Sequence, residues 1–327
     1  MLFRTRIFLC GVLILLVIFG LTACAGVTPT APIATTISRN VATDGMEKFT
    51  VEQDAAPPIL HLDEWDAPVP VPGLINTAGL EDAAFVLPDG QTMYFFFTPS
   101  ITVPPQEQLV DGVTGIYVSY FTDQGWGKPK PVILQDPGEE SMDGCPFVRN
   151  NEIWFCTIRA GNYRDIDIWK ADIVNGGWQN WQDAGELFNV DYKMGELHIS
   201  ADGSMIFYHS DQLEGLGGRD IWVTRWDGNG WGAPENVTPV NTAGDEGWPY
   251  LSLDGQTLWF TRTYQGSPAI FRSQQVAGQW GVPELVVSQF AGEPTLDAAG
   301  NLYFTHHFMR NGNIVEADIY VATKKGN

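Results

Sequence analysis

Residues 249–283 read PYLSLDGQTLWFTRTYQGSPAIFRSQQVAGQWGVP, and the fold follows from the pattern in this stretch. Short runs that mix aromatic and β-branched residues are typical of strands. Asp254-Gly255 lies between two such runs and indicates a tight hairpin, because glycine accepts a positive φ without steric cost. A further strand begins at the GQWGVP segment. The stretch therefore predicts one unit of four short antiparallel strands.

Three motifs from this stretch each recur five times along the chain. The aromatic pairs are Tyr94-Phe95, Trp154-Phe155, Phe207-Tyr208, Trp259-Phe260 and Tyr303-Phe304. The Ile-aromatic pairs, at intervals of 52, 53, 49 and 49, are Ile116-Tyr117, Ile168-Trp169, Ile221-Trp222, Ile270-Phe271 and Ile319-Tyr320. The tryptophans followed closely by Pro or a second Trp are Trp65, Trp126, Trp178, Trp231 and Trp280. Repeated four-stranded units of about 50 residues are typical of a propeller, so we predict an all-β, five-bladed β-propeller over residues 59–327.

The two ends of the repeat region complement each other. The last unit ends with ADIYVATKK and lacks its tryptophan strand, whereas the segment around Trp65 is an orphan copy of that strand. Asn76-Thr77-Ala78-Gly79 matches Asn241-Thr242-Ala243-Gly244 in the same relative position. We therefore expect residues 62–73 to add the outer strand to the last blade, which closes the ring and removes an open edge.

The repeat SLDGQTLWFTR, with AGDEGWP before it and GGRDIWV in the preceding unit, resembles the WD-like propeller repeat of TolB-type periplasmic proteins. The resemblance covers about residues 60–325. It implies the fold, and it says little about function, since such repeats serve scaffolds, ligand binders and some enzymes. The second unit departs from the pattern, with RNNEIWF in place of an Asp-Gly turn and Trp181 where Pro is expected.

The N-terminus has the layout of an export signal. Arg4 and Arg6 precede an apolar run from Ile7 to Gly20, which is shorter than the about 20 residues that a membrane-spanning helix needs. The ending Leu21-Thr22-Ala23-Cys24 resembles the bacterial lipobox, which implies a signal peptide over residues 1–23 and a lipid on Cys24. The alternative is an uncleaved anchor helix.

Residues 24–58 are rich in Ala, Thr and Pro and show no apolar periodicity, so we expect a flexible linker there. A lipid on Cys24 would hold the propeller at a bacterial membrane, on the periplasmic side or at the cell surface. The whole chain has a net charge of −21, and removal of the signal with its two arginines takes it to −23. Phosphates are repelled by such a protein, and with no basic patch in the sequence we expect no nucleic-acid partner.

Two cysteines remain after Cys10 leaves with the signal and Cys24 takes the lipid. If Asn150-Asn151 forms a two-residue turn, Cys145 lies directly opposite Cys156, at a distance that allows a disulfide. An exported protein is in a compartment where disulfides persist. Two buried free thiols are the other possibility.

The same register places one opposed pair of residues at the open end of the first hairpin of each unit, where its first strand begins and its second strand ends. Together the pairs form a column of candidate residues. The opposed pairs are Ala83/Phe96, Cys145/Cys156, Glu196/His209, Trp248/Thr261 and Glu293/His306. Further polar residues beside them are Glu81, Asp82, Asp143, Glu246 and Arg262. Carboxylates of this kind can orient a histidine, cleave a glycosidic bond or bind a cation, and they can equally cap strands and cross-link blades.

From this column we expect a binding surface on one rim of the propeller. Its candidate residues are Glu196, His209, Trp248, Arg262, Glu293 and His306, joined by the longer loops 99–114, 158–166, 210–219 and 306–316. The expected function is that of a non-enzymatic envelope module that binds a protein or glycan partner, as a monomer and without cofactor or metal. The alternative is a carbohydrate-active hydrolase that uses Glu196, Glu293, Asp143 or Glu246.

Overall fold

The computed structural model describes residues 38–211 and 214–326. The predicted signal peptide, Cys24 and the first part of the predicted linker lie outside this part of the chain. The helical elements within it are single turns: α1 (Arg39–Ala42), a 3-10 turn (Val51–Gln53), α2 (Pro105–Gln108) and a π-helical turn (Leu187–Asp191). None of the described helices has the length and apolar character needed to cross a membrane.

The strands form five successive antiparallel runs, called units 1 to 5 below, preceded by β1 (Ile59–Leu60) and β2 (Val69–Pro70). Unit 1 contains β3 (Leu80–Val86), β4 (Thr92–Thr98), β5 (Gly115–Thr122), β6 (Gly125–Trp126) and β7 (Lys130–Pro131). Unit 2 contains β8 (Ser141–Arg149), β9 (Glu152–Arg159), β10 (Asp167–Val174) and β11 (Gly177–Asp183). Unit 3 contains β12 (Leu197–Ile199), β13 (Met205–Ser210), β14 (Asp220–Arg225) and β15 (Glu235–Asn236). Unit 4 contains β16 (Glu246–Leu251), β17 (Thr257–Tyr264), β18 (Ser267–Val276), β19 (Gln279–Trp280) and β20 (Glu284–Ser288), and unit 5 contains β21 (Ala291–Leu296), β22 (Leu302–Arg310) and β23 (Asn313–Ala322).

The first strands of the units lie side by side. β3 contacts β8, β8 contacts β12, β12 contacts β16, β16 contacts β21, and β21 contacts β3. A single parallel pairing, between Leu80 and Ala317, joins unit 1 to unit 5. Successive antiparallel sheets whose first strands surround a common centre are the arrangement of a β-propeller.

Tryptophan side chains pack edge-on between neighbouring units. The ring centroids lie 5.7 Å apart for Trp65 and Trp259, 6.3 Å for Trp126 and Tyr303, 6.2 Å for Trp178 and Tyr94, and 6.0 Å for Trp280 and Phe207. In each pair the tryptophan belongs to the outer part of one unit and its partner to the second strand of the preceding unit. Four of the five recurring tryptophans therefore pack between units, and the fifth, Trp231, contacts Phe188 and Trp226.

The N-terminal segment pairs with the last strand of unit 5, the partner that its sequence predicts. Val69 of β2 pairs with Val321 of β23, and Trp65 forms a bridge with Lys324. The Asn76 side chain extends the junction, because its amide donates to the carbonyl of Ile319 and its carbonyl accepts from the same residue's N–H. Asn241 binds Ile221 in the same two-sided way. Each asparagine thus gives the isoleucine N–H an acceptor, and it shares the isoleucine carbonyl with a backbone N–H, that of Val71 in unit 5 and that of Val237 in unit 3.

The expectation of a flexible linker up to residue 58 does not hold for residues 38–58, which pack on units 1 and 5. Phe49 is buried against Phe308, and Lys48 forms ion pairs with Glu316 and Asp318. Asp54 contacts His306, with the two side chains 2% and 0% exposed. Composition predicts a linker because these anchoring side chains are isolated and follow no period, although each has a specific partner. We call residues 38–58 the N-terminal arm.

Units 1 and 4 each contain a buried ion pair between a glutamate and an arginine. In unit 1 the arginine is Arg39, which comes from the N-terminal arm. Its Nη1 lies 2.7 Å from Glu81 Oε1, and both side chains are buried. Glu81 also accepts from the N–H and hydroxyl of Thr77, as Glu246 does from Thr242. In unit 4 the cation is Arg262 of β17, at 2.8 Å from Glu246.

We predict that Arg39→Ala lowers the free energy of unfolding by about 3–5 kcal/mol, because it leaves the Glu81 carboxylate buried without its cation. Thermal unfolding of the full chain measures the loss. The matched control is Arg225→Ala, which removes an ion pair whose side chains are 48% and 62% exposed, and it should cost about 0–1 kcal/mol. The double variant Arg39→Ala/Glu81→Gln should recover part of the loss. Equal effects of Arg39→Ala and Arg225→Ala would show that the arm is not docked in solution.

Candidate functional site

A β-bulge interrupts the first strand of most units at the predicted column. The bulged residues have left-handed backbone conformations, with φ of 48° at Ala83, 52° at Cys145, 51° at Trp248 and 58° at Glu293. In unit 3, Gly195 and Glu196 both hydrogen-bond to the backbone of His209. A bulge turns the side chain of the extra residue away from the regular alternation. Here it directs one residue of each unit toward the centre.

The bulges change the register that two-residue turns predict. Phe147 faces Trp154 as expected, but beyond the bulge Gly144, not Cys145, faces Cys156. The expected pairing of Glu293 with His306 is wrong, since Ala291 faces His306 and Gly292 faces Thr305. The turn residues that predict a hairpin carry no information about a bulge several residues away.

The two cysteines nevertheless form a disulfide, with Cα atoms 5.4 Å apart. It joins the bulge of β8 to β9 and lies in the wall of the cavities described next.

Three cavities meet at the centre. The narrowest, about 50 Å³, is lined by the bulge column, one residue from each unit: Ala83, Cys145, Glu196, Trp248 and Glu293. The second, about 160 Å³, is bordered by Asp82, Glu196 and Glu293 together with apolar side chains such as Phe96. The third, about 550 Å³, lies between units 2 and 3. Glu196 lines all three and so stands where they join.

Asp82 and Glu293 form a carboxyl pair between units 1 and 5. Their side chains share a hydrogen bond, and Glu293 Oε2 also accepts from the Ala83 N–H at 2.7 Å and from the Thr305 hydroxyl at 3.0 Å. Burial and the neighbouring Asp82 carboxylate raise the pKa of Glu293 well above its usual value. Burial also acts to raise the pKa of Asp82, but hydrogen bonds with Glu293 and Thr305 and the nearby His307 outweigh it and lower that pKa. The pair therefore shares one proton, and the directions of the two pKa shifts favour Glu293 as its carrier.

Glu196 faces this pair from unit 3. Burial raises its pKa to about 8, with a further contribution from Asp82, while Trp248 and Arg219 act in the opposite direction. The indole N–H of Trp248 donates to Glu196 Oε1 at 2.8 Å. His209 lies beside them, and burial followed by the charge of Arg219 lowers its pKa to about 3, so its ring is neutral.

The other carboxylates that the sequence singles out lie in buried ion pairs away from this centre. Asp143 binds Arg159 at 2.6 Å and Glu246 binds Arg262 at 2.8 Å, each within its own unit, so their charges are already matched. His306 hydrogen-bonds to Asp54 of the N-terminal arm, and burial lowers the pKa of its ring. These contacts give the side chains a structural role.

Arg164, Lys193 and Arg219 are cavity-lining residues that the sequence analysis did not single out, and Asp82 was noted only as a polar residue beside the column. Asp82 adjoins the bulge column, and this adjacency is the one signal that points to it. The three cations come from loops without a motif and line the largest cavity. Among the described residues, no group of three or more His, Cys, Asp or Glu side chains is arranged to hold a metal ion.

No family model matches the sequence, and no curated protein matches it. The fold is similar to that of TolB from Acinetobacter baumannii at 13% identity and a TM-score of 0.46, over 76% of this chain and 56% of that chain. This chain therefore spans little more than half the length of that TolB. It is also similar to the catalytic domain of a Coprinopsis cinerea GH62 α-L-arabinofuranosidase, at 11% identity and a TM-score of 0.47, over 75% of this chain and 91% of the other. An engineered GH43 glycoside hydrolase is 15% identical over 80% of this chain and 53% of its own, with a TM-score of 0.45. Likeness at this level concerns the fold alone.

We predict that the protein becomes more stable as the pH falls from 8 to 6.5. The folded state binds the Glu196 proton more tightly than the unfolded chain does, so this group stabilises the fold at low pH and the contribution is lost as pH rises through about 8. Below pH 6.5 the neutral His209 opposes the trend, because the unfolded chain would protonate it. Melting temperature measured across pH 5–9 tests the prediction.

The matched variants are Glu196→Gln, which imitates the protonated carboxyl, and Glu235→Gln on the exposed surface of unit 3. Glu196→Gln should melt higher than the wild type above pH 8 and at the same temperature near pH 5, and Glu235→Gln should follow the wild type throughout. Parallel curves for the wild type and Glu196→Gln would contradict the shifted titration of Glu196.

Proposed function

We propose that the chain is an envelope lipoprotein, anchored through Cys24, whose described part is a closed propeller of five blades corresponding to units 1 to 5. Support for the blade number comes from three motifs with five copies each and from the contacts that run from β3 through β8, β12, β16 and β21 back to β3. The pairing of β2 with β23 supports closure. Support for the anchor comes from the basic start, the short apolar run and the Leu-Thr-Ala-Cys ending.

The function that we propose for this propeller is hydrolysis of a glycosidic bond at the central carboxyl groups. One observation carries the proposal: Asp82, Glu196 and Glu293 converge from three units on connected cavities, and their pKa values are driven apart. A strongly shifted set of carboxyls in a cleft is typical of acid–base catalysis. By contrast, the carboxylates of Asp143 and Glu246 are each paired with an arginine of the same unit.

The chemistry assigns one role to each group. Glu196 is protonated near neutral pH and donates that proton to the oxygen of the departing sugar. Asp82 is ionised and takes a proton from the water that attacks the anomeric carbon. Glu293 keeps its proton and hydrogen-bonds to Asp82, and so orients it. The bond from the anomeric carbon to the glycosidic oxygen breaks as the bond to water forms.

The surroundings suit a sugar. Trp248 and His209 border the Glu196 carboxyl, and hydroxyl and carboxyl groups border the apolar wall made by Phe96 and Ile166. Sugars combine apolar ring faces with hydrogen-bonding edges, and clefts of this mixed character bind such ligands.

Binding without catalysis is the second candidate function, and one observation favours it. Glu196 is held by the Trp248 indole, and Glu293 by Ala83 and Thr305, so these two carboxyls already link neighbouring units. A glycan or protein could then be bound on the same rim with no bond broken.

We predict that the protein hydrolyses a member of a panel of aryl glycosides and polysaccharides, and that Glu196→Gln lowers kcat by about 10²–10⁴-fold through loss of the proton donor. The wild-type kcat/KM should fall above about pH 8, as Glu196 loses its proton. Release of reducing sugar measures the rates.

The control for hydrolysis is Glu235→Gln, a change of the same type on the exposed surface of unit 3. Its rate should equal that of the wild type. Hydrolysis that survives Glu196→Gln would remove Glu196 from the mechanism, and binding of glycans without hydrolysis of any would favour the second candidate.

We predict that Cys24→Ala moves the protein from the membrane fraction of expressing bacteria to the soluble fraction, because a lipid is the proposed attachment. Immunoblots of the fractions and metabolic labelling with a fatty acid measure the change. Cys10→Ala should leave both unchanged, and an unlabelled wild type would contradict lipidation.

A further inference from the structure

We propose that the N-terminal arm is a positioning element for the central carboxyl groups: it binds units 1 and 5 on both sides of their junction and so holds Asp82 and Glu293 together. This inference rests on the proposed function of those groups and adds Arg39 and Asp54 to it as positioning residues. Neither of these two lines the three cavities described above. Both would therefore act through the strands that they contact.

The carboxyl pair spans the junction between units 1 and 5. Among the described strands, a single parallel pairing joins these units, between Leu80 of β3 and Ala317 of β23. Close to it in the chain, Asp82 of unit 1 shares a hydrogen bond with Glu293 of unit 5, which also accepts from the Ala83 N–H at 2.7 Å. The distance between the two carboxyls therefore depends on how closely the two units approach each other.

On the unit 1 side of the junction, the arm binds β3 through Arg39. The guanidinium pairs with Glu81, the residue before Asp82, and the two side chains are 5% and 0% exposed. It also donates to the carbonyls of Ile75 and Leu74, at 2.9 and 3.1 Å. Successive side chains of a strand point to opposite faces. A contact that fixes Glu81 on one face thus fixes the backbone from which Asp82 extends on the other.

On the unit 5 side, the arm binds β22 through Asp54. Its Oδ2 lies 2.8 Å from His306 Nε2, and the side chains are 2% and 0% exposed. The strand residues on either side of His306 face the other way. The Thr305 hydroxyl donates to Glu293 at 3.0 Å, and His307 lies near the carboxyl pair. The arrangement at β3 is thus repeated, with the arm on one face of the strand and the carboxyl pair on the other.

Between these two contacts the arm is also attached to β23. Lys48 forms ion pairs with Glu316 and Asp318. The N–H of Phe49 donates to Glu316 Oε2 at 3.0 Å, and its ring packs on Phe308 with centroids 5.7 Å apart. The arm is therefore a continuous bridge from unit 1 to unit 5. Because a misplacement of about 1 Å can lower a rate by about 10²-fold, a bridge that fixes this separation affects the proposed reaction.

The test compares hydrolysis by the wild type, Asp54→Ala and Glu47→Ala on the substrate that the wild type cleaves. Asp54→Ala removes the contact with His306 and should lower kcat by about 10–10²-fold with KM little changed, because the carboxyls move and no substrate contact is lost. Glu47→Ala removes the ion pair of the same arm with Arg310, whose side chains are 57% and 50% exposed, and should leave kcat unchanged. Asp54→Asn keeps a hydrogen-bond acceptor for His306 and should keep most of the rate.

A second readout needs no substrate. Burial acts to raise the pKa of Asp82, and the hydrogen bond with Glu293 is the largest of the contacts that lower it. If the pair separates, the pKa of Asp82 should rise in Asp54→Ala and in Arg39→Ala, and it should stay at the wild-type value in Glu47→Ala. NMR titration of isotope-labelled carboxyl carbons in the full chain measures it, with the Asp82 signal identified by its loss in Asp82→Asn. Melting temperatures confirm that each variant is folded during the titration.

An unchanged kcat and an unchanged Asp82 titration in Asp54→Ala would overturn the inference and leave the proposed hydrolase intact, even if the variant melts at a lower temperature. Equal effects of Asp54→Ala and Glu47→Ala would also overturn it, since the effect would not come from the junction. A raised pKa of Asp82 in Asp54→Ala, with no hydrolysis by the wild type, would support the positioning role and count against hydrolysis. No hydrolysis and no change in the Asp82 titration would overturn both.

Discussion

The edge-on contact between a tryptophan of one unit and an aromatic residue of the preceding unit is the interaction on which the rest of the structure depends. Each unit is a small twisted sheet with too little apolar surface of its own, and the contacts of Trp65, Trp126, Trp178 and Trp280 bury its faces against a neighbour. Aromatic pairs of this geometry stabilise beyond the area that they bury. Because each tryptophan reaches back to the preceding unit, the contacts also fix the angle between sheets, and hence where the first strands meet.

The centre is built by a second device, the bulge in the first strands. Left-handed φ values at Ala83, Cys145, Trp248 and Glu293 cost backbone energy, and non-glycine residues in this region often occur where side chains are aimed for function. The result is a division of the carboxyl groups into two kinds. Some are paired with a cation, as Glu246 is with Arg262, and others, such as Asp82 and Glu293, pair with each other at the wall of a cavity.

Much of the fold can be predicted from the sequence, because a strand pattern that is weak in one unit becomes clear when it recurs in every unit. The Trp65 segment predicts its own pairing with the last unit for the same reason. The docking of the N-terminal arm could not be predicted from the sequence. Its contacts come from isolated residues, Arg39, Lys48, Phe49 and Asp54, in a stretch whose composition is typical of a linker. Composition indicates whether a segment can bury enough apolar surface to fold by itself. It does not indicate whether the segment packs on a domain that is already folded.

Only part of the site could be predicted from the sequence. Counting residues outward from the hairpin turns groups Glu196, Trp248 and Glu293 in one column, and these residues do line one cavity. Glu196 does hydrogen-bond to His209, its expected partner, but the partners of Cys145 and Glu293 were not predicted, because a bulge shifts the register and leaves no mark in the sequence. The cations Arg164 and Arg219 are brought together by the positions of loops from different units, which no local pattern describes.

The way in which the chain ends meet has a consequence for the order of folding. The segments that complete units 4 and 5, β1 and β2, are synthesised first, whereas their partners β20 and β23 are synthesised last. Contacts between such distant parts of a chain are slow to form, because loop closure must precede any gain from pairing. The hairpins of the early units can form while the final ones are still missing, but β1 and β2 stay without their partners until β20 and β23 have been synthesised. A chain that stops short would keep β2 without a partner and expose the edge of an unfinished sheet, which is the feature that invites pairing between chains.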